Sequence, residues 1–99
     1  MSLSSRQIRH LRGLAHSLKA IVAVGNNGLT DSVVDEIDNT LSRHELLKVR
    51  VSAGEREERD EIIQQIVERT HAELIQRVGH VATFFRQNAE NPRVDAGKK

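Results

Sequence analysis

Ile21-Val22-Ala23-Val24-Gly25-Asn26-Asn27-Gly28-Leu29-Thr30 is the stretch that decides the fold. A β-branched apolar run stops at a glycine-bounded tetrapeptide, and a helix start follows at once. The run 21–24 reads as a buried strand. Thr30 is a good N-cap and Asp31 suits the positive end of a helix dipole, so a helix opens there. Gly25 and Gly28 allow backbone angles that other residues adopt at a cost, and they leave no side chain between main chain and a ligand. A bare loop feeding a helix N-terminus can cradle a phosphate. The same four residues also serve as a tight turn with no ligand, and G-x-x-G spacing alone does not separate the two readings.

On the N-terminal side, residues 4–18 have helical spacing. At 100° per residue Ile8, Leu11, Leu14, Ala15 and Leu18 share one side, predicted to face the core. Arg6, Arg9, Gly13 and His16 fall opposite, with Arg12 and Lys19 on the flanks. Solvated helix faces usually mix signs for i,i+4 pairing. This one holds no acid.

On the C-terminal side, residues 31–43 form a helix with Val33, Val34, Ile37 and Leu41 inward. Leu46 to Val51 alternates as a strand, with Leu47, Val49 and Val51 on one side and Leu46, Lys48 and Arg50 on the other. A third helix runs from about Glu55 to Arg69, its acids gathered at the dipole-positive end. Residues 72–78 and 81–86 are two strands about a Gly79-His80 turn. Beyond Arg86 periodicity and apolar content vanish.

The order α-β-α-β-α-β-β predicts a two-layer α/β (α+β) domain over residues 1–87 with a four-stranded mixed sheet, followed by a flexible tail, 88–99. Its two crossovers predict parallel strand neighbours, with both crossover helices on one face. The first helix is expected against the sheet or its margin.

Ninety-nine residues, 37% hydrophobic and 29% charged, suit one globular domain. A net charge of +1 conceals segregation. Residues 1–30 hold four bases and no acid, residues 31–73 six bases against twelve acids, and residues 74–99 five bases against two acids. Segregated signs let a nearly neutral chain present a basic face to a polyanion. Without cysteine there is no disulfide, thiolate metal site or cysteine nucleophile. No run has signal-peptide or membrane-span length, so a cytoplasmic protein is expected.

Catalytic motifs are lacking. His44-Glu45-Leu46-Leu47-Lys48 begins like a zinc-protease motif but has no second histidine, and the five histidines show no metal-ligand spacing. The glycine loop is followed by Leu29-Thr30 rather than the Lys-Ser/Thr of a phosphate-binding P-loop. The expectation is no enzyme, metal, cofactor or small-molecule substrate. Two phenylalanines with no Trp or Tyr cannot build an aromatic stacking platform, so any nucleic acid should be held mainly by phosphate, sugar and shape.

Several segments together carry a resemblance: Leu11-Arg12-Gly13-Leu14-Ala15-His16-Ser17-Leu18-Lys19, Val24 to Thr30, Glu36-Ile37-Asp38, and Glu55-Arg56-Glu57-Glu58-Arg59. Over residues 3 to about 87 the chain resembles the bacterial YhbY branch of the chloroplast RNA splicing and ribosome maturation (CRM) domain family. The resemblance implies a fold like the C-terminal domain of translation initiation factor 3, RNA binding, and association with large-ribosomal-subunit precursors. It implies RNA contacts at the loop Gly25, Asn26, Asn27 and Gly28 and on the basic surface near the first helix. The chain departs from the family pattern with Asn26 and Asn27 where a basic residue is common, and with Ala20 where proline is common. Asparagine donates hydrogen bonds but brings no charge.

The resulting expectation is an RNA-binding module using that loop with Arg6, Arg9, Arg12, His16 and Lys19, and with Lys48 and Arg50 from the sheet. Arg77 and Arg86 are weaker candidates. The alternative is a charge-driven protein-interaction adaptor in which the glycines serve only the turn.

Overall fold

The computed structural model describes residues 3–52 and 54–88. Its elements are α1 (Ser5–Ala15), β1 (Val22–Val24), α2 (Asp31–His44), β2 (Leu46–Val51), α3 (Arg56–Thr70), β3 (Glu73–Val78) and β4 (Val81–Phe85). The four strands form one mixed sheet in the order β1-β2-β4-β3. β1 runs parallel to β2, and β4 is antiparallel to both of its neighbours. This is the expected α+β fold.

One strand position differs from expectation. The second crossover returns β3 parallel to β2, but β4 lies between them, so the two are not neighbours. Burial explains the order. Ala82, Thr83, Phe84 and Phe85 are buried on both faces of β4, which demands a central strand, while β3 is largely half-buried or exposed and suits an edge.

Alternation along β2 and β4 feeds two separate cores. Leu47, Val49, Val51, Ala82 and Phe84 join Ile37, Leu41, Ile63 and Ile66 beneath α2 and α3. Leu46, Ile75 and Phe85 point the other way and pack under Leu11 and Ala15 of α1. The crossover helices therefore share one face, and α1 covers one end of the other.

Helix ends refine this arrangement. Ser4 Oγ accepts from the Gln7 N–H (3.1 Å) and Gln7 Oε1 from the Ser4 N–H (3.0 Å), a reciprocal cap that draws Gln7 into the buried stripe with Leu11 and Ala15. α1 stops at Ala15, short of the expected residue 18, so Leu18 is 40% exposed rather than buried, and Leu14, at the margin of the stripe formed by Gln7, Leu11 and Ala15, is 41% exposed. Helices α2 and α3 both end without glycine, at Glu45 (φ 64°) and His71 (φ 61°).

The chain leaves β4 tied down. The Arg86 guanidinium donates to the Asp38 carboxylate (2.5 Å), to the Thr70 carbonyl (2.8 Å) and to Ser42 Oγ (2.8 Å). Buried Glu45 accepts the Asn88 N–H at 2.5 Å. Asn88, the first residue of the expected tail, is thus fastened to the domain; residues 89–99 lie outside the described residues.

Candidate nucleic-acid interface

The uncovered half of the α1 face is built by strand register. The ladder aligns Arg50 with Val81 and Val81 with Val78, and likewise Lys48 with Thr83 and Thr83 with Gln76. Two rows of side chains therefore cross β2, β4 and β3. With strands about 4.8 Å apart, each row spans roughly 10 Å, and the rows stand about 6.8 Å apart along the strands. Each begins with a cation and ends with a neutral residue.

Residues 16–20 close the side toward α1. Lys48 Nζ donates to the Leu18 carbonyl (3.1 Å) and the Ile21 N–H donates to the Lys48 carbonyl (3.3 Å), pinning this connection against β2. An open groove of about 640 Å³ results. Arg12, His16, Lys19, Lys48 and Arg50 line it, and among the described residues no carboxylate does. Five residues singled out in the sequence are brought together here.

Charge pairing separates these cations from others. Arg69 pairs with Asp31 (2.7 Å), Arg77 with Asp60, and Arg86 with Asp38. Arg77 and Arg86, the weaker sequence candidates, are thereby committed to carboxylates. Among the described residues Arg12, Lys19, Lys48 and Arg50 form no ion pair. Arg6 and Arg9 are also unpaired, but they stand on the exposed surface of α1 outside the groove lining.

The glycine loop lies elsewhere. Val24 is level with Val51, so the loop leaves the sheet at the far end of β2, whereas α1 packs over Leu46. Five residues of strand, about 17 Å, separate those ends. The groove fills the interval. Gly28 has φ 74° and donates its N–H to the Gly25 carbonyl (3.0 Å), closing a turn. Thr30 Oγ1 accepts the Val33 N–H (3.2 Å) and Asp31 occupies the first turn of α2, so that helix end already faces oxygen atoms. These contacts leave the Asn26 and Asn27 amides without partners among the described residues. Both asparagines are exposed.

The floor of the groove was missed in sequence. Val78, Val81, Gln76 and Thr83 line it. A two-residue turn at Gly79-His80 pairs 78 with 81 and 76 with 83, so the turn could have supplied this register. What it could not supply is the choice of β4 as the neighbour of β2. Among the described residues no group of three His, Asp or Glu is placed to hold a metal, and no helix is long and apolar enough to cross a membrane.

Known proteins resemble this chain in sequence, and a solved structure resembles it in fold. A Haemophilus influenzae protein named as an RNA-binding protein is 44% identical over 89 residues, covering 90% of each chain. A Pseudomonas aeruginosa protein, named a probable RNA-binding protein, is 32% identical over 88 residues, 89% of this chain and 85% of that one. A Staphylococcus aureus protein solved in solution, and proposed to bind RNA, superposes with a TM-score of 0.81 at 32% identity, covering 95% and 98% of the two chains. The family model for the CRS1/YhbY (CRM) domain matches residues 3–86. This chain belongs to the CRS1/YhbY (CRM) domain family.

Proposed function

We propose that this protein is a non-catalytic RNA-binding protein that associates with large-ribosomal-subunit precursors in the cytoplasm during ribosome maturation. The observation that carries the reading is the groove between α1 and the sheet, in which Arg12, Lys19, Lys48 and Arg50 stand together with no carboxylate among the described residues that line it. Phosphates would neutralise these cations, while Arg6 and Arg9 extend the positive field along α1. The exposed Asn26 and Asn27 amides offer a further, uncharged contact at the distant rim. The RNA-binding names of the relatives support the same partner.

Salt dependence tests it. Neutralising about four phosphates should give a slope of roughly −3 in log K against log salt when the protein binds large-subunit ribosomal RNA. An essentially flat dependence would contradict a phosphate-dominated mode. Under an adaptor role the protein would be retained on precursor particles without binding the naked RNA.

A further inference from the structure

The groove is two-sided in a way that phosphate binding alone does not require. Both cross-strand rows start from a cation on β2, Arg50 or Lys48, and end about 10 Å away on a neutral β3 residue, Val78 or Gln76. Val78 is 63% exposed, and Leu18 at the other margin is 40% exposed. Thr83, 3% exposed, sits in the floor between Lys48 and Gln76. A surface that met only the outside of a duplex would gain nothing from the uncovered Val78 at the far end of the Arg50 row.

We infer that the groove takes unpaired nucleotides: the phosphates lie on the Lys48 and Arg50 side, and the sugars and bases on the β4–β3 side. This rests on the RNA-binding reading above and names the RNA form it selects. A nucleotide carries its charge at one end and a flat, weakly hydrated base at the other, matching the gradient along each row. The two rows lie about 6.8 Å apart, a separation that suits consecutive nucleotides of an extended strand. Val78 and Val81 offer aliphatic contact to a base or ribose, and Gln76 offers a hydrogen-bond donor and an acceptor to base edges. Phe84 and Phe85 are buried in the two cores, so this contact is aliphatic and sequence-tolerant rather than aromatic stacking. An A-form duplex keeps its bases stacked inside and presents phosphates and 2′-hydroxyls, so it could engage the cations but not the floor.

The test compares three labelled RNAs with the full chain at one salt concentration: a short mixed-sequence single strand, the corresponding duplex, and that duplex with a two-nucleotide bulge. Wild-type protein should bind the single strand and the bulged duplex about tenfold more tightly than the plain duplex. A double variant, Gln76→Ala with Val78→Asn, should bring the three affinities within about twofold by weakening the first two, with duplex affinity and thermal unfolding unchanged. Arg50→Ala should weaken all three. Equal affinity of wild type for single strand and duplex, with a steep salt dependence, would overturn this inference and leave the RNA-binding reading standing. So would a preference that survives in the double variant. No salt-sensitive binding to any of the three would overturn both.

Discussion

The two faces of the sheet hold the same kinds of residue and use them differently. Beneath α2 and α3 lies the larger core, and around it Arg69, Arg77 and Arg86 each meet an aspartate. On the other face α1 covers one end only, and Arg12, Lys48 and Arg50 meet no carboxylate among the described residues. The difference shows that a count of arginines says little about polyanion binding. What matters is whether the fold delivers an acid to each one. Here the acids are carried largely by α2 and α3, and those helices pack on the opposite face.

Core truncations probe the comparison most strongly. Phe84 is fully buried beneath two helices, so Phe84→Ala should cost about 3–5 kcal/mol and lower the unfolding midpoint by roughly 15 °C or more. Phe85→Ala, under the single helix α1, should cost less. An equal loss at the two positions would mean that α1 is as firmly packed as the crossover layer. Next comes charge reversal. Arg12→Glu with Arg50→Glu should reduce RNA affinity about a hundredfold while unfolding stays near wild type, because among the described residues these side chains have no ion pair to lose. Arg69→Glu with Arg77→Glu, on the other face, should change RNA affinity no more than about twofold.

The smallest effects belong to the glycine loop. Gly28→Ala should cost about 1 kcal/mol, since φ 74° strains any side chain even though a Cβ there meets no atom within 4 Å. Gly25 has open space and no positive φ, so Gly25→Asp should leave stability unchanged. If the exposed loop amides approach phosphate, that variant should weaken RNA binding a few-fold. If the loop is only a turn, binding should not move.

Much of this contrast was legible in the residue order. Strict alternation in β2 assigned Lys48 and Arg50 to the face opposite Leu47, Val49 and Val51, and the lack of acids marked the first helix as basic. Three features were not legible. Leu46 shares a face with Lys48 and Arg50, yet it is buried because α1 lands on that end of the strand. Leu18 lost its expected burial because the helix stops at Ala15, where neither glycine nor proline signals an end, and Leu14 falls at the margin of the buried stripe. The Ser4 and Gln7 cap explains why a polar residue sits in the stripe instead. The central place of β4 follows from burial on both its faces, which no single strand announces while its neighbours are unknown.

The most direct test maps backbone amide shifts by NMR as a single-stranded RNA is titrated into the protein at low salt. The largest perturbations should fall on Arg12, His16, Lys19, Lys48, Arg50, Gln76 and Thr83, with little change along the exposed surfaces of α2 and α3. Perturbations concentrated on α2 and α3, with the groove silent, would contradict it.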